Sequence, residues 1–101
     1  MSNPNEESEV LDRIILATPK KWNVVFYNDD KTPVDFVIAV LIEQYNHSIE
    51  KAKEITLSIH EKGKGIAGTY YLEIAEQKCN ETIKFARKEG FPLQVDIEKI
   101  K

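Results

Sequence analysis

The sequence predicts an α/β chain, more narrowly an α+β two-layer sandwich in which three helices pack on one face of a three-stranded sheet. Residues 22–27 and 93–98 have the period-two pattern of strands, and three longer stretches repeat apolar residues at helical spacing. A glycine-punctuated, aromatic stretch indicates one further strand. The elements follow in the order β-α-α-β-α-β, but the pattern does not fix the order of the strands within the sheet.

The first strand covers residues 22–27, where β-branched and aromatic side chains predominate. The acidic loop Asn28-Asp29-Asp30 follows, because Asn and Asp side chains compete with regular backbone pairing. The first helix is expected from about Pro33 to Tyr45. Thr32 is predicted to be its N-cap, with Pro33 in the first helical position.

The second helix is expected to follow Ser48, a plausible N-cap, and to end at Gly63, which suits a left-handed C-terminal position. Residues 64–71 supply the second strand. The third helix is predicted from Leu72 to Gly90, and the last strand follows from Leu93 with one solvent-facing side.

The organisation predicted is a flexible N-terminal tail over residues 1–20 and one folded domain over residues 21–101. A net charge of −3 argues against a nucleic-acid-binding surface. No apolar run approaches the ~20 residues of a membrane span. One cysteine and two histidines are too few for a structural zinc site, and a lone cysteine fits a reducing, cytoplasmic compartment.

The residues that suggest chemistry are the acidic loop and His60. If the first two helices form a hairpin, Asn28, Asp29, Asp30 and His60 lie at the same end of the molecule. They would form a polar rim above an apolar pocket that includes Val34, Val37, Thr56 and Ile59. Such a rim supplies acceptors and negative charge, which suits an ammonium group with several donors and no acceptor.

Other interpretations remain open on the residues alone. The loop is also an ordinary helix-start loop, and a histidine near a helix C-terminus is favourable electrostatically. Asp29, Asp30 and His60 could instead be metal ligands or an acid-base set. No nucleophile with its base is apparent, and adjacent loop carboxylates are not a specific metal signature, so neither an enzyme nor a cofactor is expected.

The chain resembles the ClpS-type adaptors of the bacterial and plastid ATP-dependent Clp protease over about residues 20 to 99. Several separated motifs carry this resemblance in the family's order: Asn28-Asp29-Asp30-Lys31-Thr32-Pro33, Asp35-Phe36-Val37, Ile59-His60-Glu61-Lys62-Gly63-Lys64-Gly65, Ala67-Gly68-Thr69-Tyr70, Glu73-Ile74-Ala75-Glu76-Gln77-Lys78, Ala86-Arg87 and Pro92-Leu93.

The resemblance implies a monomeric substrate adaptor, located in the cytoplasm or the plastid stroma, with a fold similar to the C-terminal domain of a ribosomal stalk protein. Such adaptors bind proteins with a free N-terminal Leu, Phe, Tyr or Trp and deliver them to the N-terminal domain of a Clp unfoldase. The alternative is a general interaction domain that modulates the unfoldase's substrate choice without selecting N-termini.

Carried over by position, the resemblance implies three groups of residues. Asn28, Asp29, Asp30 and His60 would bind the substrate's α-amine. The side-chain pocket would consist of Thr32, Val34, Val37, Thr56, Ile59 and Leu93. Glu73 and Lys78 would dock to the unfoldase.

The chain departs from the family's common pattern at Val34 and Thr56, where methionine is frequent. These two positions are expected to reshape the pocket and to shift its preference among N-terminal residues. The smaller Val34 could also admit Ile or Val.

Overall fold

A computed structural model describes residues 20–100. It contains three strands and three helices in the predicted order: β1 (Trp22–Tyr27), α1 (Val34–Glu43), α2 (Ile49–Lys62), β2 (Lys64–Tyr70), α3 (Leu72–Lys88) and β3 (Gln94–Lys99). The predicted two-layer sandwich is therefore confirmed. The predicted tail lies outside the described residues except for Lys20, so that part of the domain organisation stays a prediction.

Strand β1 is the centre of the sheet, whose order is β2-β1-β3. It pairs antiparallel with both neighbours, and the pairing with β2 shifts register between Val24 and Val25. Val24 and Phe26 point toward the helices and are fully buried, as is Leu41 of α1. The ring of Phe26 meets Tyr45 edge-on at 5.5 Å between centroids. A central strand buried in this way gives the loop that follows Tyr27 a rigid base.

The start of α1 differs from the prediction. Its N-cap is Pro33, whose carbonyl accepts the first helical hydrogen bond from the backbone N–H of Val37 at 3.2 Å. Thr32 is not the cap, since α1 begins one residue later than predicted; the Thr32 hydroxyl donates to Oδ2 of Asp29 at 2.7 Å. The helix also ends at Glu43, two residues before the predicted end at Tyr45.

Both predicted ends of α2 are confirmed. The hydroxyl of Ser48 accepts a hydrogen bond from the backbone N–H of Lys51 at 3.1 Å, as an N-cap does. Gly63 adopts the left-handed conformation with φ +86° and turns the chain directly into β2. Gly65 then passes so close to α2 that an added Cβ would lie 2.8 Å from Cγ1 of Ile59.

Helix α3 covers the sheet with small buried side chains along one face: Ala75, Cys79, Thr82 and Ala86. Thr82 is joined to Tyr45 by a hydrogen bond of 2.6 Å between their hydroxyls. Gly90, with φ +85°, follows the helix as predicted. The exposed Gln94 and Asp96 of β3 face away from the helices, which confirms the solvent-facing side predicted for this strand.

Candidate functional site

A cavity of about 280 Å³ opens where the β1–α1 loop meets the C-terminal half of α2. Every residue that sequence reasoning assigned to amine binding or to the side-chain pocket lines it, and Tyr27 is the one further member. The lining residues are Tyr27, Asn28, Asp29, Asp30, Thr32, Val34, Val37, Thr56, Ile59, His60 and Leu93. The structure therefore brings the two predicted groups together in one concave site.

The loop lies beside His60 because the backbone ties the end of β1 to the end of α2. The N–H of Asn28 donates to the carbonyl of Gly63 at 2.9 Å, and the N–H of Gly63 donates to the carbonyl of Ile59 at 3.0 Å. These bonds bring together two segments whose bonded residues, Asn28 and Gly63, are 35 positions apart in sequence. The juxtaposition depends on the left-handed turn at Gly63.

Asp29 organises the loop from within. Its Oδ1 accepts from the backbone N–H groups of Lys31 at 2.8 Å and Thr32 at 2.7 Å, while Oδ2 accepts the Thr32 hydroxyl. Both carboxylate oxygens are thus engaged inside the loop. This arrangement is an Asx turn, and it fixes the loop directly before α1 begins.

The other three polar side chains of the rim are available to a ligand. Within residues 20–100, the side chains of Asn28, Asp30 and His60 form no hydrogen bond or ion pair with one another or with another described residue. All three are exposed. We call them the acceptor rim. An amide oxygen, a carboxylate and an imidazole nitrogen together can accept several hydrogen bonds from one cation.

The electrostatics of Asp29 follow from its contacts. Partial burial pushes the pKa of Asp29 upward, but the three hydrogen bonds and the positive charge of Arg87 outweigh this effect and hold the pKa below its ordinary value. Because the folded pKa is the lower one, the ionised carboxylate stabilises the fold above the ordinary Asp pKa. That contribution is lost as the pH falls through the folded pKa.

Replacing Asp29 with alanine is expected to lower the free energy of unfolding by about 1 to 2 kcal/mol at pH 7, the usual effect of losing an Asx or N-cap acceptor. Asp29→Asn keeps one acceptor oxygen and should lose less. The difference between wild type and Asp29→Ala should shrink at pH 3, since protonation weakens the wild-type carboxylate as an acceptor. Urea unfolding at pH 7 and pH 3 measures the free energies. If wild type and Asp29→Ala differ by the same free energy of unfolding at both pH values, the prediction is contradicted.

The apolar part of the cavity is formed by Val37, Ile59 and Leu93, which are buried. Val34 is 59% exposed at the mouth, and Thr56 is half-buried. Leu93 is held in place by Arg87, whose Nη1 donates to the carbonyls of Phe91 at 2.9 Å and Leu93 at 2.8 Å. Arg87 therefore shapes the cavity from outside it.

Tyr27 and Arg87 contribute to the site, but sequence reasoning did not assign them to it. Tyr27 directly precedes the acidic loop, and its hydroxyl donates to Oε1 of Glu98 at 3.2 Å across the sheet. Only its position next to Asn28 pointed to the site. For Arg87, no local pattern could have shown that its guanidinium binds the backbone of the loop beyond α3.

Glu73 and Lys78, the predicted docking pair, do not line the cavity. Glu73 is exposed in the first turn of α3. The Lys78 ammonium is half-buried, donates to the carbonyl of Gln44 at 2.6 Å and lies 5.5 Å from the centroid of the Tyr45 ring. Lys78 thus also fastens the end of α1 to α3.

The described part of the chain contains neither a metal-binding cluster nor a membrane-spanning helix. Between Lys20 and Ile100, no His, Cys, Asp and Glu side chains are grouped in a way that could hold a metal ion. None of the three helices in this range is long and apolar enough to cross a membrane.

The fold and the cavity define a class of protein: a small α+β binding domain whose site combines an acceptor rim with an apolar pocket. The family model described as "ATP-dependent Clp protease adaptor protein ClpS" matches residues 17–96. The chain therefore belongs to the ClpS family of Clp protease adaptors. Membership of the family confirms the predicted resemblance. The proteins of this family are adaptors and not enzymes.

Comparison with individual relatives supports the same family assignment. The chain is 44% identical over 95 residues to the ClpS adapter protein of Oleidesulfovibrio alaskensis, covering 94% of this chain and 91% of the relative. It is 47% identical over 81 residues to that of Desulforapulum autotrophicum, covering 80% and 78%. A solved structure of Agrobacterium tumefaciens ClpS2 bound to L-phenylalaninamide matches with a TM-score of 0.78 and 30% identity, over 81% of this chain and 99% of that one.

Proposed function

We propose that this chain binds proteins with a free, bulky apolar N-terminal residue (Leu, Phe, Tyr or Trp) and delivers them to a Clp-family unfoldase for degradation. The observation that carries the proposal is the acceptor rim of Asn28, Asp30 and His60 at the mouth of an apolar cavity of about 280 Å³. That volume is just below the ~300–1,000 Å³ typical of small-molecule sites, so it suits one side chain rather than a long segment.

The chemistry of a free N-terminus matches this rim. An α-amine has a pKa of ~7.7–8.0 and is largely charged at neutral pH, with three donors and no acceptor. An internal or acetylated residue has neither the charge nor the three donors. It would cover the rim's acceptors without satisfying them, at a penalty of ~1–3 kcal/mol for each acceptor that it buries.

The bound L-phenylalaninamide of the A. tumefaciens relative supports the same assignment. That ligand combines a free α-amine with an apolar aromatic side chain. In our proposal Asn28, Asp30 and His60 accept hydrogen bonds from the amine, and Asp29 holds the loop that presents them. Thr32, Val34, Val37, Thr56, Ile59 and Leu93 surround the substrate's first side chain.

Delivery requires a second surface. We assign it to α3, where Glu73 and Lys78 dock to the N-terminal domain of the unfoldase. Glu73 is exposed, and the half-buried Lys78 ammonium lies against Tyr45 and Tyr70, so this surface is preformed. The proposal includes a monomeric adaptor acting in the cytoplasm, or in the stroma of a plastid.

Calorimetric titration with a Phe-initiated peptide and its N-acetylated twin tests substrate recognition. Acetylation is expected to weaken binding by at least about 100-fold, because it removes hydrogen bonds to a charged donor from several acceptors at once. A peptide of scrambled sequence that keeps the N-terminal Phe should bind like the original. Equal binding of the free and acetylated peptides would instead identify a general interaction domain without N-terminus selectivity.

A further inference from the structure

Thr56 lines the cavity beside apolar side chains, and it carries a hydroxyl. Its neighbours on the apolar side of the cavity are Val37, Ile59 and Leu93, all buried. The other two hydroxyl groups of the lining residues donate away from the apolar pocket, that of Thr32 to Asp29 and that of Tyr27 to Glu98. Thr56 is therefore the polar group that α2 contributes to the cavity below His60.

The hydrogen of this hydroxyl is already used. Oγ1 of Thr56 donates to the carbonyl of Ala52, one turn earlier in α2, at 2.7 Å. A hydroxyl has one hydrogen and two lone pairs, so the Thr56 oxygen keeps only acceptor capacity for a further partner. A ligand group that satisfies it must be a hydrogen-bond donor.

The position of Thr56 identifies which part of a ligand would reach it. Thr56 and His60 are four residues apart on the same face of α2, so they are separated by about one helical turn of ~5.4 Å. The amine is bound at the level of His60 in the proposed function. A group one turn below is at the far part of the first side chain, where tyrosine carries its O–H and tryptophan its N–H.

We propose that the Thr56 hydroxyl accepts a hydrogen bond from a donor-bearing aromatic N-terminal side chain, so that this adaptor favours N-terminal Tyr or Trp over Phe. The inference rests on the proposed function and extends it to substrate preference. Phenylalanine and leucine fill the same space but leave the Thr56 oxygen without a donor. A neutral hydrogen bond of this kind corresponds to a preference of about 3- to 10-fold.

The test uses three peptides that differ only in the first residue, Phe, Tyr or Trp, titrated into wild type, Thr56→Val and Thr56→Ser. Valine keeps the branched shape without the hydroxyl, and serine keeps the hydroxyl. In Thr56→Val, affinity for the Tyr or the Trp peptide is expected to fall by about 3- to 10-fold relative to the Phe peptide. In Thr56→Ser, the wild-type ratio should be retained.

The measured quantities are the Phe/Tyr and Phe/Trp ratios of dissociation constants. If both ratios are the same in wild type and in Thr56→Val, the inference is overturned. If Thr56→Ser, which keeps the hydroxyl, also loses the preference for Tyr or Trp over Phe, the preference is due to the shape of the pocket. That outcome also overturns the inference. An acetylated Phe peptide, titrated into each variant, separates failure of the proposed function from failure of this inference alone. If acetylation leaves binding unchanged, the proposed function fails and this inference fails with it. If acetylation abolishes binding while both ratios stay constant, only this inference fails.

Discussion

Replacing Asp30 with alanine is expected to weaken the binding of a Phe-initiated peptide by about 10- to 100-fold. Asp30 supplies the only carboxylate of the acceptor rim, and a hydrogen bond to a charged partner is worth ~1.5–3 kcal/mol, about twice a neutral one. Calorimetric titration at fixed ionic strength measures the change. Asp30→Asn, which keeps an acceptor but not the charge, should lie between alanine and wild type.

The neighbouring carboxylate cannot replace Asp30. Both oxygens of Asp29 accept hydrogen bonds from Thr32, and Oδ1 accepts another from the backbone of Lys31. Turning Asp29 toward the ligand would break all three bonds and release the loop. The effect of Asp30→Ala should therefore appear in binding and leave the free energy of unfolding nearly unchanged, whereas Asp29→Ala should lower stability.

Asp35 provides the matched control. It is an exposed acid in the first turn of α1, five residues after Asp30, and it does not line the cavity. Asp35→Ala changes the net charge by the same amount but should change the affinity by less than about 3-fold, because exposed charges beyond contact distance are screened by salt. Equal losses of affinity in the two variants would show that Asp30 acts only through the overall negative charge of the protein. Asp30 would then not belong to the acceptor rim.

The sequence predicted the elements well because their signals are local. Ser48 and Gly63 delimit α2 as predicted, since a cap and a left-handed turn each depend on a few neighbouring residues. The order of the strands could not be predicted, because pairing of β1 with both β2 and β3 depends on contacts between segments far apart in the chain. The predicted cap at Thr32 was wrong because α1 begins at Val34, one residue later than predicted, which makes Pro33 the N-cap.

In the candidate site, too, some features could be predicted from the sequence, whereas those that depend on contacts between distant segments could not. A hairpin of α1 and α2 was enough to predict that the acidic loop lies near His60. The family resemblance added Thr32 and Leu93 to the lining residues. Arg87 was missed because its role depends on how the chain turns after Gly90, which puts two backbone carbonyls within reach of its guanidinium.

The close passage of β2 across α2 leads to the second large effect, which concerns Gly65. A Cβ at this position would lie 2.8 Å from Cγ1 of Ile59 and 3.1 Å from the backbone carbonyl of Ile55. Carbon atoms in contact are ~3.5–4.0 Å apart, so the Ile59 side chain would have to move by roughly 1 Å and the backbone of α2 at Ile55 by a few tenths of an ångström. Gly65→Ala is expected to lower the free energy of unfolding by about 1 to 3 kcal/mol, as overpacking does.

The same displacement should reach the site, because α2 carries Thr56, Ile59 and His60. Binding of the Phe-initiated peptide is expected to weaken by at least about 10-fold, since hydrogen bonds weaken steeply once their geometry is lost. Gly90→Ala is the control. Gly90 has φ +85° but open space around an added Cβ, so alanine there should destabilise by ~1–2 kcal/mol through backbone strain without moving α2. If both variants lose the same stability and both keep full affinity, the contact of Gly65 with α2 does not set the geometry of the cavity.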